Sequence, residues 1–343
     1  MAGAAHPSAL LDNSTLPLPQ NLDPLITRRP VDWATPESKT PDPLFIVGSP
    51  RSGTTVLAGL LRHTPWGEAF ETHFIVKYFR LLPRLGNLSD PRTFGRVAQQ
   101  ILGERPIVQR KLGLTPQGLY NSLPQHDYAS LVDAIGRAYG VLKGHRSWGD
   151  KTPHYITHVD VLHLLFPRSK MLYIVRDGRD VAMSLLEKSW GPATIYTCAH
   201  QWQHENQPRP TLSALRSKGL LYDIRYEDLL AKPHETLAGI LSFLGQDFSK
   251  EVLDELAASI RRTNARKWER QMSPANVELF ESVAGQTLRR FDYTVTHPSS
   301  PIGPLAAMSY AARDRMKHVR NLFMMNVVDT VRIKFYGKEP FAE

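Results

Sequence analysis

The segment Pro43–Leu57 constrains the fold more than any other part of this 343-residue chain. It begins with an apolar run at 44–48, which predicts a buried strand, and it ends in a pattern typical of a helix start. Gly48 and Gly53 keep the G-x-x-x-x-G spacing of phosphate-binding loops, in which backbone N–H groups surround an anion. The segment therefore predicts a phosphate-binding loop between a strand and a helix.

One position distinguishes this loop from those of nucleoside triphosphatases. Thr54 stands where those proteins place the lysine that reaches the outer phosphates of ATP. The loop carries its own cation instead, Arg51. This composition favours a bound phosphate group and argues against ATP hydrolysis.

A second segment, about 120 residues further along, has a similar organisation. The β-rich run 170–175 precedes Arg176, and Ser184 follows about one turn into a predicted helix. Ligands of open α/β sheets bind beyond the carboxyl ends of the strands, and an Arg with a hydroxyl group suits a phosphate. Arg179 and Asp180 are expected to form an exposed ion pair at the helix start. The two segments together predict a ligand with phosphates at both ends.

Pro50–Thr55, with the sequence PRSGTT, resembles the 5′-phosphosulfate-binding loop of sulfotransferases that use 3′-phosphoadenosine 5′-phosphosulfate (PAPS). The segment that follows residue 175 resembles the 3′-phosphate motif of the same family. The resemblance extends over about residues 43–295 and implies an α/β fold of three layers. In this fold a central, mostly parallel sheet is flanked by helices and carries a P-loop-like nucleotide site. The resemblance assigns binding of PAPS to Arg51, Ser52, Gly53, Thr54, Thr55, Arg176 and Ser184.

The candidate catalytic base lies in Trp66–Phe74, about 20 residues after the loop. This segment resembles the Gly-Glu-Glu-Thr segment of tyrosylprotein sulfotransferases, whose second Glu is the base. An ungapped alignment places Thr72 at that position, and a shift of one residue places Glu71 there. Glu71 is therefore the first candidate for the base and His73 the second. The alternative for Glu71 is an acid at the start of the helix predicted over 74–82.

Trp148–Pro153 resembles the Lys-(Thr/Asp)-Pro element of the family, whose Lys contacts the bridging oxygen or the sulfuryl group. Lys151 is accordingly expected to stabilise charge on the leaving phosphate. A surface lysine ahead of a helix that begins with Pro153 is the alternative. We expect no metal, because Arg and Lys supply the positive charge and the thirteen His residues lack metal-ligand spacing.

The stretch Arg225–Leu230 is similar to the Tyr-Glu-Asp-Leu helix of the family. Within it, Tyr226 would contact the adenosine or its phosphate, or pack in the core.

Asn264–Trp268, followed by an amphipathic pattern and Phe291–Tyr293, resembles the closing segment of tyrosylprotein sulfotransferases. Arg266 replaces the Ser that helps to hold the leaving group there, which argues against tyrosylprotein activity. The candidate contacts with phosphate in this segment are Arg266, Lys267 and Trp268, and the alternative is a basic patch ahead of a helix.

The alternation of predicted strands and helices indicates a parallel sheet with right-handed crossovers. The predicted strands lie at 44–48, near 68–70, at 170–175 and at 219–224. Helical patterns cover about 54–62, 74–82, 92–102, 128–142, 155–165, 180–188, 194–206, 234–244, 249–261 and 275–284. Residues 1–43, with eight prolines, predict an extended or disordered arm, 44–295 the sulfotransferase domain, and 296–343 a C-terminal extension.

Within that extension, residues 305–335 predict a basic amphipathic helix. Such a helix docks on its own domain, mediates dimerisation or lies on a membrane, and docking is the favoured interpretation. The formal net charge of +9 fits a basic cleft for PAPS, so nucleic acid is not an expected partner.

The single cysteine, Cys198, excludes an intramolecular disulfide and favours a reducing compartment. No signal peptide is predicted, and no apolar run is long enough to span a bilayer. We therefore expect a cytoplasmic protein.

These observations predict in-line transfer of a sulfuryl group from PAPS to a hydroxyl group, or an amine, of a carbohydrate, glycolipid or small natural product. One alternative is a P-loop kinase that acts on a small alcohol or a nucleotide. Another is a non-catalytic nucleotide-binding protein whose basic tail binds a partner. No sequence motif identifies the acceptor or the oligomeric state.

Overall fold

The structure, a computed structural model, describes residues 41–67, 69–260, 265–297 and 300–323. The strands in these residues are β1 (Leu44–Val47), β2 (Gly149–Asp150), β3 (Lys170–Val175) and β4 (Leu221–Arg225).

The helices surround the sheet, and most begin with proline or with a side chain that caps the first turn. They are α1 (Thr54–Leu60), α2 (Phe74–Leu85), α3 (Pro91–Leu102), α4 (Arg105–Val108), α5 (Pro116–Ser122), α6 (Tyr128–Leu142), α7 (Val159–Leu165), α8 (Gly178–Leu186), α9 (Ile195–Glu205), α10 (Pro210–Ser217), α11 (Tyr226–Ala231), α12 (Pro233–Leu244), α13 (Lys250–Ala258), α14 (Trp268–Gln271), α15 (Pro274–Arg290) and α16 (Pro304–Phe323). A 3₁₀ helix, Pro153–His158, precedes α7.

The four strands form one parallel sheet in the order β2-β1-β3-β4. Because all four strands are parallel, their carboxyl ends meet at one edge. Each strand is followed at once by a residue that the sequence singles out. These residues are Gly48 after β1, Lys151 after β2, Arg176 after β3 and Tyr226 after β4.

The sheet is buried on both faces, as expected for parallel strands. Phe45, Val47 and Tyr173 belong to the larger core, which includes residues of α2, α3, α6, α8, α9 and α15. Leu44 and Ile46 belong to the second core, with residues of α1, α11, α12 and α13. The period-2 alternation of strand side chains produces this division. The three-layer α/β fold predicted from the sequence is confirmed.

Some element predictions are wrong. The strand predicted near 68–70 is not formed by the described residues there, since Phe70 makes only an isolated parallel bridge to Asp150, and Glu68 lies outside the described part. The sequence patterns did not indicate β2, which is only two residues long, or the helices α4, α5, α10 and α14. Most of the predicted arm, 1–40, and positions 324–335 of the predicted C-terminal helix lie outside the described residues.

Candidate active site

The loop between β1 and α1 is shaped by two glycines that admit no side chain. A Cβ on Gly48 would lie 2.3 Å from the carbonyl oxygen of Ile174, and one on Gly53 would lie 2.5 Å from the ring of Tyr226. Gly53 also has a φ of 99°, which favours glycine. The loop therefore packs directly on β3 and on the start of α11, and this packing holds it at the edge of the sheet.

A buried polar atom inside this loop lacks a partner. The Oγ atom of Ser52 is buried and accepts or donates no hydrogen bond among the described residues. A buried hydroxyl without a partner is unfavourable, so its presence at this position fits a loop that binds a polar ligand.

Arg51 joins the loop to α8. Its backbone has a φ of 70°, and its Nε donates to Ser184 Oγ at 2.9 Å. Nη1 of Arg176 donates to the backbone oxygen of Arg51 at 3.2 Å, and its guanidinium lies 4.7 Å from the ring centroid of Tyr226. The structure therefore brings the two predicted phosphate-binding segments into direct contact at adjacent strand ends.

Asp180 holds Arg176 in place at this site. Its Oδ2 is 3.1 Å from Nη2 of Arg176, and its Oδ1 accepts a hydrogen bond from the backbone N–H of Trp268 at 2.9 Å. A buried arginine needs such a partner, because an unpaired buried charge is strongly unfavourable. Asp180 thus fixes Arg176 and also attaches the start of α14 to the site.

The predicted exposed ion pair between Arg179 and Asp180 is wrong. Both residues are buried, with 1% and 2% of their surface exposed. Arg179 forms ion pairs with Asp177 at 2.7 Å and with Glu281 at 2.6 Å, and its guanidinium lies 3.5 Å from the ring centroid of Trp268. The reason is that α8 packs against α9, α14 and α15, so its first turn lies inside the protein.

A second polar cluster lies after β2. Nζ of Lys151 contacts Thr55 Oγ1 at 3.2 Å and forms an ion pair with Glu71. The other carboxylate oxygen of Glu71 accepts a hydrogen bond from Nε2 of His73 at 2.8 Å. The three residues predicted to be catalytic therefore form one connected group, which reaches the phosphate loop through Thr55.

The partners of Glu71 control its protonation. Burial by itself would raise the pKa of Glu71, but hydrogen bonds and positive charge from His73 and Lys151 outweigh this and lower the pKa to about 2. The carboxylate is therefore ionised at neutral pH, as a base must be, although it is a weak base while both partners are in place.

Asp150 at the end of β2 positions this segment. It accepts hydrogen bonds from the backbone N–H of Thr72 at 3.0 Å and of Thr152 at 2.8 Å. Desolvation of the buried carboxyl group raises the pKa of Asp150 to about 6, against the effect of those hydrogen bonds. Thr72 is buried, and its hydroxyl lies 3.1 Å from the hydroxyl of Tyr155, so this residue packs rather than faces the cleft.

Two polar pairs near the loop were not predicted. Asn206 Nδ2 donates to Oγ of Ser49 at 2.7 Å, and Nδ1 of His154 is 3.2 Å from Oε1 of Glu205. Desolvation would lower the pKa of His154, but the hydrogen bond and charge of Glu205 outweigh it and raise the pKa above the ordinary value. These residues carry no local motif, and only the packing of the end of α9 near the phosphate loop and the 3₁₀ helix brings them together.

The remaining predicted site residues lie under the phosphate loop and at the start of α14. Tyr226 is buried beneath Gly53 and Arg176, so it supports the loop from below. Arg266 has an exposed side chain and a φ of 54°, and its Nε lies 4.0 Å from Glu269. Lys267 directly precedes α14, and Trp268 is the first residue of that helix.

Comparison with known proteins identifies the family. Residues 43–250, more than half of the chain, match the model of the Sulfotransferase family. The chain therefore belongs to the sulfotransferase family, and the resemblance stated from the sequence is confirmed.

The relatives are distant. Nodulation protein NoeE of Sinorhizobium fredii is 26% identical over 228 residues, which cover 59% of this chain and 50% of that protein. Protein-tyrosine sulfotransferase 2 of Gallus gallus is 27% identical over 255 residues, which cover 71% of this chain and 63% of that protein. An uncharacterized protein of Aquifex aeolicus is 24% identical over 251 residues, which cover 66% of this chain and 30% of that protein. The chain thus spans less than two thirds of the length of each of these curated relatives.

A solved structure has the same fold. The sulfotransferase domain from the curacin biosynthetic pathway aligns with a TM-score of 0.50 at 20% identity, covering 75% of this chain and 99% of that chain. Within the described part of the chain, no helix has both the length and the apolar character to cross a bilayer.

Proposed function

We propose that the protein transfers the sulfuryl group of PAPS to a hydroxyl group, or an amine, of a carbohydrate, a glycolipid or a small natural product. The contact between the two phosphate-binding segments, in which Arg51 reaches Ser184 and Arg176 holds the backbone of Arg51, carries this proposal. Two basic segments joined in this way suit one small ligand with two phosphate-bearing ends better than two separate ligands.

The residues present fit PAPS. The loop residues Arg51 to Thr55 would hold the 5′-phosphosulfate, and the unpartnered buried hydroxyl of Ser52 supplies one donor there. Arg176 and Ser184 would hold the 3′-phosphate. Lys267 and Trp268 would lie next to this phosphate, because Asp180 binds both Arg176 and the backbone N–H of Trp268. When bound, PAPS supplies an activated sulfuryl group on a phosphate that is a good leaving group.

Lys151 and Glu71 would divide the chemistry between them. Lys151 lies between the loop hydroxyl of Thr55 and the carboxylate of Glu71, so its ammonium group is placed to stabilise negative charge on the leaving phosphate. Glu71, or His73 hydrogen-bonded to it, would accept the proton of the acceptor.

Ligand binding would also activate the base. A Lys151 side chain that turns toward a bound anion withdraws part of its charge from Glu71. The pKa of Glu71, held at about 2 largely by Lys151 and His73, would then rise toward a value that is useful for proton transfer.

The segment that precedes α14 bears on the class of acceptor. One relative is a protein-tyrosine sulfotransferase, a name that gives protein tyrosine as the acceptor. Arg266 occupies the position of a serine in the tyrosylprotein closing segment, so we favour a non-protein acceptor. The single cysteine of the chain supports a reducing, cytoplasmic location.

Calorimetric titration with 3′,5′-adenosine bisphosphate, with ATP and Mg²⁺ in parallel, tests the nucleotide site. We expect binding of the bisphosphate that is lost in Arg51→Ala and Arg176→Ala. Arg216→Ala is the matched control, because Arg216 pairs with Asp223 at the surface, outside the site. Absence of bisphosphate binding, or a preference for ATP with Mg²⁺, would overturn the proposal in favour of a kinase.

Turnover of PAPS against a panel of sugars, glycolipids and aromatic alcohols tests the catalytic step. The double variant Glu71→Gln, His73→Gln should lose about 10²–10⁴-fold in turnover while it still binds the bisphosphate. Unchanged turnover in this variant would contradict the base assignment without affecting the nucleotide site.

A further inference from the structure

The helix α16 is attached to the domain through its polar face. The ring of Tyr310 stacks on Tyr196 with 5.1 Å between centroids, and Oδ1 of Asp314 accepts a hydrogen bond from the backbone N–H of Ala193 at 2.6 Å. Nζ of Lys317 donates to the carbonyl oxygens of Lys188 and Pro192 at 2.9 and 3.0 Å. The side of the helix that faces the protein is therefore the hydrogen-bonding side, unlike the usual amphipathic surface helix.

The opposite face of α16 is apolar and exposed. At about 100° per residue, four large apolar side chains fall within an arc of about 80°, centred opposite Tyr310, Asp314 and Lys317. These residues, which we call the outer stripe, are 59–82% exposed and comprise Leu305, Met308, Met316 and Val319.

Basic side chains border the outer stripe on both sides. Arg313 and Arg320 lie along one edge and Arg315 lies along the other, and all three are exposed. Asp314 is the sole carboxylate of α16, and it is already bound on the inner face. An apolar stripe between arginines, without a neighbouring acid on the helix, is the pattern of helices that lie in the surface of an anionic membrane.

We propose that the outer stripe and its flanking arginines bind an anionic lipid surface. The positive charge opposes pairing with a second copy, which would bring six arginines together around the stripe without any carboxylate of α16 to neutralise them. Met316 and Val319 line a cavity together with Arg315 and Arg320, so apolar and cationic side chains face the same space, which suits the acyl chain and headgroup of an anionic lipid.

The binding would orient the molecule. The inner face of α16 is attached to the 188–193 loop and to the start of α9, so a helix lying in the membrane surface would hold this side of the domain against the lipid. Trp190 in the same loop is half exposed, and tryptophan is favoured at the interface between lipid and water. This inference does not rest on the proposed sulfuryl transfer.

Sedimentation of the full-length chain with vesicles tests the inference. Vesicles of phosphatidylcholine alone are compared with vesicles that contain three parts of phosphatidylcholine and one part of phosphatidylglycerol, at low and high salt. We expect binding to the anionic vesicles at low salt, with much weaker binding to neutral vesicles and at high salt.

Three variants separate the contribution of the apolar side chains to membrane binding from that of the arginines. Replacing all four outer-stripe residues by Gln should abolish sedimentation, and replacing Arg313, Arg315 and Arg320 by Gln should weaken it about a hundredfold. The matched control replaces Ala311 and His318 by Gln, since both are exposed on α16 outside the stripe and its flanks. The control should bind as the natural chain does, and all variants should keep the same unfolding midpoint.

Sedimentation that is no greater with anionic vesicles than without vesicles would overturn the inference, as would unchanged binding of the four-Gln variant. A dimer in analytical ultracentrifugation that the four-Gln variant disrupts, together with no vesicle binding, would overturn it in favour of self-association. Titration with the bisphosphate remains independent of these outcomes, so a failure here is distinguishable from a failure of the nucleotide site.

Discussion

The two halves of the candidate site differ in how firmly the fold holds them. We call the half around Arg176 and Asp180 the phosphate side, and the half around Glu71 and His73 the Glu71 side. On the phosphate side, Arg176 and Asp180 are buried, and they connect β3, α8 and α14. On the other side, the side chains of Glu71 and His73 are 37% and 51% exposed and rest on β2, a strand of two residues. The difference indicates that the proposed nucleotide site is held firmly by buried contacts, whereas the side chains of the proposed catalytic group can change partners when a ligand binds.

This contrast also separates what substitutions should do. A change on the phosphate side should cost folding stability, because the same contacts hold the domain together. A change on the Glu71 side should cost turnover, because the exposed residues there contribute little to stability.

The largest expected effect is on stability, from Asp180→Ala. The substitution leaves the guanidinium of Arg176 buried without its carboxylate and should lower the free energy of unfolding by about 3–5 kcal/mol. Urea unfolding measures this change. Asp223→Ala is the control, because it removes an exposed ion pair with Arg216 and should cost less than about 1 kcal/mol. Equal losses of unfolding free energy in the two variants would show that the buried ion pair of Arg176 and Asp180 does not stabilise the fold more than a surface pair does.

Lys151→Gln should give the clearest catalytic effect. Loss of the cation beside the leaving phosphate should lower kcat about 10²–10³-fold. The KM for PAPS should change little, because charge on the leaving phosphate develops only as the S–O bond breaks. The affinity for the bisphosphate should fall, since its 5′-phosphate carries that charge in full. Steady-state kinetics with PAPS give kcat and KM, and calorimetry gives the affinity for the bisphosphate, with Lys232→Gln as a surface control. A rise in KM as large as the loss of kcat would show that Lys151 binds PAPS in the ground state instead.

Gly53→Ala tests the shape of the loop on a smaller scale. A methyl group at this position meets the ring of Tyr226 and requires a φ of 99°, so we expect a loss of about 1–3 kcal/mol in stability and weaker binding of the bisphosphate. Gly59→Ala, in α1, is the matched control. No atom lies within 4 Å of its added Cβ, and alanine should stabilise the helix by about 0.5–1 kcal/mol. A similar effect of the two substitutions would contradict the tight packing of the loop.

The phosphate side was also the more predictable from sequence. The strands β1 and β3 are apolar runs, and the spacing of Gly48 and Gly53 follows from the close packing of the loop. Both features can therefore be recognised in the sequence without knowledge of the fold. The position of Lys151 after a strand could not be recognised in this way, because two residues give no periodic signal.

Burial of charged residues was the main failure, and its cause is long-range packing. Arg179 and Asp180 begin a helix and look like exposed residues in the sequence. Their burial depends on Glu281 and Trp268, which follow about 90–100 residues later. Local patterns carry no information about such partners. The i, i+4 spacing of Arg176 and Asp180 was the one local sign of a pair.

Asp150→Asn gives the smallest effect and tests what supports the Glu71 side. Asp150 binds the backbone of Thr72, so the variant should be less stable than the natural chain. The folded-state pKa of about 6 lies above the ordinary value of 3.8, so the folded state binds more protons between these values and its stability falls as the pH rises through them. Asparagine does not titrate. The stability deficit of the variant should therefore shrink as the pH rises from about 4 to about 6 and stay constant above about 7, as measured by urea unfolding across this range. A stability deficit that does not vary with pH would show that burial does not raise the pKa of Asp150 in the folded protein.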